Sequence, residues 1–287
     1  MNKLLFPFVT YLFLIVIFSS CYTLKKGVKI TDIGICTSYT NGEIMKEAGY
    51  TYVEEGVGNF LVPTKSEEEF QGILGKTTSY PLRVVVCNGF IPADLKCVGP
   101  NVEQIQILNY MEIVFQRAKK AGVEMIVFGS GGSRSIPEGF SRDIARQQFV
   151  DLCKKMAPIA KKYNVTVVLE PLNSQECNFI NSVAEGGEIV KEVNHHNFRL
   201  LADFYHMKMD NESPDNIIKY GGLIKHIHFA EKEKRSVPGT YNEDFRPYFE
   251  ALKKIKYAGK ISIEARWVDF NAQAPIAIKV INNQITK

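Results

Sequence analysis

Four acidic or histidine side chains each close a short apolar run in the C-terminal half of the sequence. They are Glu170 in VTVVLEPLN, Asp203 in FRLLADFYH, His228 in IKHIHFAE and Glu264 in KISIEARW. Each run is rich in valine, isoleucine and leucine and precedes a helical pattern, which indicates parallel strands with their polar residues at the same carboxyl end. Three carboxylates and one imidazole on one rim predict a divalent metal site. An oxygen-rich donor set with one nitrogen suits Mn²⁺ first, with Co²⁺, Mg²⁺ and Zn²⁺ as alternatives.

The strands that must position these side chains belong to an eightfold alternation of strand-like and helix-like segments. The strand candidates are ITDIGICT, TYVEEGV, LRVVVCN, EMIVFGS, VTVVLEP, RLLADFY, KHIHFAE and KISIEAR. Eight alternations predict an α/β fold, a closed (β/α)8 TIM barrel that forms a single domain over residues 30–287. An open, doubly wound sheet of eight strands stays as the alternative. In a barrel, residues at strand ends converge on the axis, so the sequence distance between the four ligands is no obstacle.

The connecting segments predict long helices and two loops over the site. Helical patterns cover 102–122 and 141–164, and four apolar residues predict the buried face of the second: Ile144, Phe149, Leu152 and Met156. Helix ends are predicted at Gly49, Gly122, Gly259 and Asn164. The longer connections 88–101 and 129–141 follow strands, where a barrel keeps its active site. The GSGG sequence in the second is a weak phosphate motif, because it lacks the lysine and hydroxyl arrangement of a P-loop.

Several segments resemble the xylose isomerase-like family of sugar isomerases and epimerases, especially the ketose 3-epimerases and hydroxypyruvate isomerases. The segments are LEPLNSQECN, ADFYHM, HIHFAEKEKRSVPG and SIEARW, together with the less specific GSGGSR and IPADLKCVGP. The resemblance covers nearly all of the chain after the N-terminal segment. It implies that Glu170, Asp203, His228 and Glu264 bind the metal and that Glu176, His206 and Arg235 contact the substrate. One more residue than in the ketose epimerases separates His228 from Arg235, so Lys234 is the alternative to Arg235.

The residues themselves support proton transfer at a carbon next to a carbonyl. Such a reaction needs a base, a route for the proton to return, and stabilisation of an enediolate, which a divalent ion supplies as a Lewis acid. Glu170 and Glu264 follow the fifth and eighth predicted strands and could flank a substrate as the acid/base pair. With the resemblance, this predicts a metal-dependent sugar isomerase or epimerase. A keto-sugar or keto-inositol dehydratase or lyase and a non-catalytic sugar-binding lipoprotein remain the alternatives.

Two further residues lie near the predicted site. Glu54, at the end of the second predicted strand, is a candidate substrate contact, with a salt bridge at the rim as an equal alternative. His226 alternates with His228 on one strand, so both could face inward, with His226 supporting a metal ligand.

Nucleic acid is excluded as a partner. The apurinic endonucleases of the same barrel family need extra histidines on the early strands, and this chain has no histidine before His195. The net charge of +4 is mild and no block of lysine and arginine stands out. A small-molecule sugar is the expected partner, and a homo-oligomer stays open.

The N-terminus predicts an exported, membrane-anchored lipoprotein in the periplasm or at the cell surface. Lys3 precedes an uncharged run over 4–18, and two serines and Cys21 follow. This pattern is typical of a signal peptide over residues 1–20, and about 20 apolar residues would be needed to span a bilayer. FSSC resembles a bacterial lipobox, in which Cys21 is lipidated and residues 21–29 form a tether. Soluble secretion and an uncleaved anchor are the alternatives, and the membrane is a partner only through the lipid.

The remaining cysteines predict free, buried thiols. They are odd in number, form no CxxC pair and mostly lie in apolar context: Cys36, Cys87, Cys97, Cys153 and Cys177. An exported protein with a disulfide framework would have paired cysteines.

Overall fold

Eight parallel strands form a closed barrel in chain order, with β8 paired to β1. This computed structural model describes residues 32–286. The strands are β1 Ile33–Cys36, β2 Tyr52–Gly56, β3 Val84–Asn88, β4 Met125–Phe128, β5 Thr166–Leu169, β6 Phe198–Asp203, β7 Ile224–Phe229 and β8 Lys260–Ile263. The prediction of a TIM barrel is confirmed, and the open sheet is wrong. The predicted signal peptide, Cys21 and tether fall outside the described residues.

Helices surround the barrel. In chain order they are α1 Gly42–Ala48, α2 Val57–Phe60, α3 Glu67–Thr77, α4 Gln104–Ala121, α5 Gly131–Arg134, α6 Arg142–Lys162, α7 Val183–Val193, α8 Phe204–Met209, α9 Asp215–Tyr220, α10 Arg246–Lys254 and α11 Phe270–Thr286. Short 3₁₀ turns lie at Tyr39–Asn41, Gly221–Leu223 and Glu233–Arg235. Between residues 32 and 286, no helix combines the length and the apolar character needed to cross a bilayer.

The apolar face predicted for α6 is correct except at its first member. Phe149, Leu152 and Met156 are fully buried against the barrel, whereas Ile144 is 53% exposed. Ile144 lies in the first turn of α6, where the Ser141 side chain accepts a hydrogen bond from its backbone N–H. A residue in the first turn of a barrel helix can extend past the sheet, so periodicity alone does not ensure its burial.

Three of the four predicted helix ends are confirmed. Gly49 and Gly122 cap α1 and α4 with left-handed φ values of 101° and 73°, and Asn164 follows α6 with a φ of 58°. These conformations terminate helices and favour glycine or asparagine. Gly259 was predicted wrongly, because α10 already ends at Lys254 and Gly259 directly precedes β8.

The main core lies between the strands and the surrounding helices. Phenylalanines from successive units meet there, with ring centroids 5.2–5.7 Å apart along the series Phe90, Phe128, Phe149 and Phe179. Such aromatic pairs add stability beyond their buried area. The five cysteines of the described region are all free thiols, as predicted.

Candidate active site

The four predicted metal ligands lie at one level of the barrel. Glu170 and Glu264 directly follow β5 and β8, Asp203 is the last residue of β6, and His228 is the last but one of β7. The strand register pairs His228 with Asp203 on one side and with Ser262 on the other. Adjacent parallel strands that end together therefore bring the four side chains to one rim.

His228 is the centre of this group. Its Nδ1 lies 2.9 Å from Oε1 of Glu170 and 3.0 Å from Oε2 of Glu264. Ligand atoms of these three residues and of Asp203 all lie within 4.8 Å of one another. His228, Asp203 and Glu170 are buried, and the side chain of Glu264 is 27% exposed. The site therefore has one open side, next to Glu264.

Asp203 provides the observation that tests the fit of a cation. Its Oδ1 accepts a hydrogen bond of 2.7 Å from the backbone N–H of Tyr205, which fixes the carboxylate at the start of α8. Its Oδ2 is buried and has no hydrogen-bond partner within the described residues. Because a buried carboxylate oxygen is costly without a partner, three carboxylates and an imidazole arranged in this way fit a divalent ion.

The pKa values of the two catalytic candidates are shifted in opposite directions. Burial raises the pKa of Glu170 above its ordinary value, against the opposing effect of His228. Burial would also raise the pKa of Glu264, but His228 and Arg235 together lower it to about 2. Two neighbouring carboxyl groups whose pKa values are driven apart are typical of an acid/base pair.

Glycine and a buried arginine hold Glu170 in place. A Cβ on Gly129 would lie far inside van der Waals contact of Oε2 of Glu170, so any larger residue would displace the carboxylate from this position. Arg134 is fully buried; its Nε donates to the carbonyl of Gly129 at 2.6 Å and its Nη2 to the carbonyl of Glu170 at 2.8 Å. The GSGG segment thus forms the wall beside Glu170. Arg134, two residues after it, is occupied by hydrogen bonds to backbone carbonyls.

A cavity of about 280 Å³ opens above the four ligands. It is lined by Asn88, Gly89, Gly129, Ser130, Gly131, Glu170, Leu172, Glu176, His206, Arg235 and Glu264. The three predicted substrate contacts, Glu176, His206 and Arg235, are therefore brought together with both catalytic candidates. The volume lies just below the range of about 300–1,000 Å³ for pockets of drug-sized ligands, so the cavity suits a small molecule.

His206 presents a hydrogen-bond donor to this cavity. Its Nδ1 accepts a hydrogen bond of 3.2 Å from the backbone N–H of Asn173, so a neutral ring carries its proton on Nε2. Nε2 is buried, has no hydrogen-bond partner in residues 32–286 and lies 3.5 Å from Oδ2 of Asp203. The Asn173 amide also donates to Oε1 of Glu176 at 3.0 Å, so one residue positions both predicted contacts.

Arg235, and not Lys234, reaches the site. Both residues adopt left-handed φ values, 58° for Lys234 and 51° for Arg235, which turn the chain back toward β8. The Arg235 guanidinium donates to Oε2 of Glu264 at 2.6 Å and to its carbonyl at 3.1 Å, whereas Lys234 is exposed. Buried Glu231 holds this loop, since its carboxylate accepts from the backbone N–H groups of Gly239 and Tyr241 at 2.7 and 2.6 Å.

Glu54 does not lie where the sequence predicted. It is fully buried on the far side of the His228 ring from the cavity, so the structure gives a substrate no access to it. Its Oε1 and Oε2 lie 2.9 and 3.1 Å from Nε2 of His228. The expected substrate contact is therefore corrected, and so is the alternative of a salt bridge at the rim. The reason is depth: β2 continues to Gly56, so Glu54 lies inside the barrel, whereas Glu170 and Glu264 follow the last residues of their strands.

His226 is fully buried inside the barrel, as its alternation with His228 predicted, and it lies beside Glu54. Its Nδ1 is 3.1 Å from the carbonyl of Lys260, which only accepts, so Nδ1 carries a proton. Its Nε2 is 2.9 Å from Oε2 of Glu54. Burial lowers the pKa of His226, and the neighbouring Glu54 opposes this effect.

The sequence did not predict three side chains that support the site: Arg134, Asn173 and Glu231. Arg134 and Asn173 lie in the segments GSGGSR and LEPLN, whose motifs were recognised without a role for these residues. Glu231 lies two residues after the end of β7, whereas Glu170 and Glu264 directly follow their strands. A charged or amide side chain next to a strand end was the available signal, but it did not show that these groups bind backbone atoms.

Comparison with known proteins places the chain in a family. The model of the xylose isomerase-like TIM barrel family matches residues 43–284. The chain belongs to this family. The L-ribulose 3-epimerase of Mesorhizobium japonicum is 33% identical over 225 residues, which cover 77% of this chain and 72% of that protein. The L-ribulose 3-epimerase of a Methylomonas species is 33% identical over 121 residues, and the match spans only 42% of the length of each protein.

Solved structures of other proteins share this fold. The D-psicose 3-epimerase of Clostridium cellulolyticum, solved with D-tagatose, superposes with a TM-score of 0.78 at 20% identity, over 88% of this chain and 99% of that one. A structure of the IOLI protein with a bound zinc atom has a TM-score of 0.68 at 18% identity and covers 88% of this chain and 96% of its own. At these identities the superpositions support the barrel alone.

Proposed function

We propose that this protein is a divalent-metal-dependent sugar epimerase or isomerase that transfers a proton at the carbon next to a ketose carbonyl. One observation carries the proposal: Glu170 and Glu264, from strands β5 and β8, both meet Nδ1 of His228 at the floor of one cavity. The family relationship and the 3-epimerase activity named for the two relatives support it.

The metal would be held by Glu170, Asp203, His228 and Glu264. When bound, a divalent ion supplies Lewis-acid stabilisation of negative charge on the substrate oxygens. Mn²⁺ is the ion we propose first, because three of the four ligands are hard oxygen donors; Co²⁺, Mg²⁺ and Zn²⁺ are compatible with the same set.

Proton transfer falls to the two glutamates. In the free protein Glu264 is ionised, because His228 and Arg235 lower its pKa, and it can accept a proton from the substrate carbon. Glu170, which approaches Nδ1 of His228 from β5, can deliver a proton to the other face of the enediolate, which inverts the carbon. For the opposite epimer the two roles exchange, since the same path must run in reverse.

The remaining lining residues would orient the sugar. His206 presents its Nε2–H to a substrate oxygen, and Glu176 and Arg235 provide an acceptor and a donor for hydroxyl groups. These contacts fix which carbon faces the glutamates, and correct placement supplies a large part of the barrier reduction.

Unphosphorylated sugars fit the cavity best. Among residues 32–286, Arg235 is the one lysine or arginine in the lining, and it already contacts Glu264 and lies 3.6 Å from Glu176. A phosphate group would therefore meet carboxylates, with no further lysine or arginine of residues 32–286 in the lining to bind it. Export, which the N-terminal sequence predicts, agrees with a free or glycosidic sugar as substrate.

Incubation with ketoses and keto-glycosides in D₂O tests the proposal. The Mn²⁺-loaded protein should introduce solvent deuterium at one carbon and yield the epimer, detected by NMR spectroscopy. Elimination products would favour the dehydratase or lyase alternative. Sugar binding without exchange at any carbon would contradict an enzymatic role and favour a binding lipoprotein.

The lipid anchor is a separate proposal that rests on the sequence of residues 1–29. Labelled palmitate should be incorporated into the native protein and not into Cys21→Ser. Labelling of both proteins, or of neither, would argue against lipidation at this position.

A further inference from the structure

The fully buried carboxylate of Glu54 lies on the opposite side of His228 from the other ligands. Nδ1 of His228 faces Glu170 and Glu264, and Nε2 faces Glu54 at 2.9–3.1 Å. Glu54 and His228 both have no exposed surface. The imidazole is thus held between a site that attracts a cation and a carboxylate that a substrate cannot reach.

This arrangement determines which ring nitrogen is free to bind a metal. The Glu54 carboxylate accepts a hydrogen bond from Oγ of Ser262 and lies 2.9–3.1 Å from ring nitrogens of His226 and His228, so it acts as an acceptor for these groups. An ionised carboxylate only accepts, so the short contact places a proton on Nε2 of His228. In the neutral ring, the lone pair of Nδ1 then points at the other three ligands.

Glu54 is itself held by groups on β7 and β8. Oγ of Ser262 on β8 donates to its Oε2 at 2.6 Å, and Nε2 of His226 on β7 lies 2.9 Å away. The hydroxyl of Tyr52 on β2 lies 2.8 Å from Oγ of Ser262. Gly34 on β1 makes room for this ring, because a Cβ there would lie far inside van der Waals contact of it.

We propose that Glu54 is a positioning residue: it fixes the orientation and tautomer of His228, so that Nδ1 binds the divalent ion of the proposed function. Carboxylate partners of this kind also raise the basicity of a histidine ligand. Their loss typically weakens metal binding 10–100-fold. The inference rests on the proposed function but concerns the affinity and electronic environment of the ion, which are measurable without a substrate.

The test compares two substitutions of Glu54 with one of its neighbour. Glu54→Gln keeps an acceptor for the Nε2 proton and loses the charge, and Glu54→Leu loses both. Glu55→Gln is the matched control. It is the next residue on β2, is buried to a similar degree and accepts a hydrogen bond from the backbone of Tyr39, away from His228.

Calorimetric titration with Mn²⁺ and with Zn²⁺ should give a graded loss of affinity. We expect about 10-fold weaker binding for Glu54→Gln and about 100-fold for Glu54→Leu, and parental affinity for Glu55→Gln. With Co²⁺ in the site, the visible absorption bands should shift in both Glu54 variants and stay unchanged in the control. A residue needed only for folding would alter the melting temperature without moving these bands.

Ser262→Ala gives a second route if the leucine variant does not fold. It removes one hydrogen-bond donor to Glu54 and leaves the carboxylate and both histidines in place. Metal binding should therefore weaken by a smaller factor than in the Glu54 variants, and the Co²⁺ absorption bands should shift in the same direction as in those variants. Parental affinity and parental spectra in Glu54→Gln would overturn the inference while leaving the proposed function intact. A parent protein that binds none of the three ions would overturn the proposed function as well.

Discussion

Replacing Glu264 by glutamine should separate catalysis from folding in this protein. The substitution keeps the shape of the side chain and removes the negative charge that contacts His228 and Arg235. Glu264 is also the most exposed of the four ligands, with 27% of its side chain accessible, so the change leaves no deeply buried cavity or charge.

Two opposing effects nearly cancel in the stability of the metal-free protein. Losing the charge-assisted hydrogen bond from Arg235 costs about 1.5–3 kcal/mol. Glu170 and Glu264 offer oxygens within 4.8 Å of each other. At an effective dielectric constant of about 20, removing one of these two charges relieves a repulsion of about 3 kcal/mol. We therefore expect a net change of about 1.5 kcal/mol or less, which moves the melting temperature by about 3–6 °C at most.

The effect on turnover should be much larger. Loss of a general base reduces the rate about 10²–10⁴-fold, which corresponds to about 3–5 kcal/mol of transition-state free energy. Part of the loss will come from weaker metal binding, since Glu264 is also a proposed ligand. The assay must therefore be run at saturating Mn²⁺, with the metal content of each variant measured.

Deuterium exchange distinguishes the roles of the two glutamates. With Glu264→Gln, the epimer whose proton faces Glu170 should still exchange with D₂O without inverting, and the other epimer should not exchange. Glu170→Gln should show the opposite preference. Full epimerisation by a metal-loaded Glu264→Gln protein, or equal exchange from both epimers, would refute the two-sided proton transfer.

Three other outcomes follow from the same geometry. Gly129→Ala should displace the carboxylate of Glu170 and reduce both metal affinity and turnover, whereas Gly75→Ala, at an open position in α3, should be neutral or stabilising by about 0.5–1 kcal/mol; equal activity of the two variants would show that Glu170 tolerates the shift. Removing the metal with a chelator should lower the melting temperature by about 5–11 °C relative to protein in Mn²⁺ at 100 times its dissociation constant, and an unchanged value would argue against the site. Arg235→Met should raise KM for the sugar and Lys234→Met should leave it unchanged, because Arg235 alone of the two lines the cavity; the reverse result would exchange their roles.

The sequence by itself determined the barrel and the four proposed metal ligands. Each strand is a local apolar run, and its polar terminal residue is adjacent to it in the chain, so Glu170, Asp203, His228 and Glu264 could be found without knowledge of distant contacts. Parallel strands that end at the same level then require these side chains to meet, as the register of β6, β7 and β8 shows.

Only the tertiary structure decided how deep each side chain lies and what it contacts. Glu54 also follows an apolar pair, but β2 continues for two more residues, and this places its carboxylate inside the barrel beneath His228. Ile144 follows the helical period, yet its position in the first turn of α6 leaves it exposed. Arg134 looks like a loop cation in the sequence, whereas its guanidinium binds carbonyl groups of residues distant in the chain, including that of Phe179. Depth and such contacts depend on the register between strands and on the packing of loops, which arise from many residues together and leave no mark in any one segment.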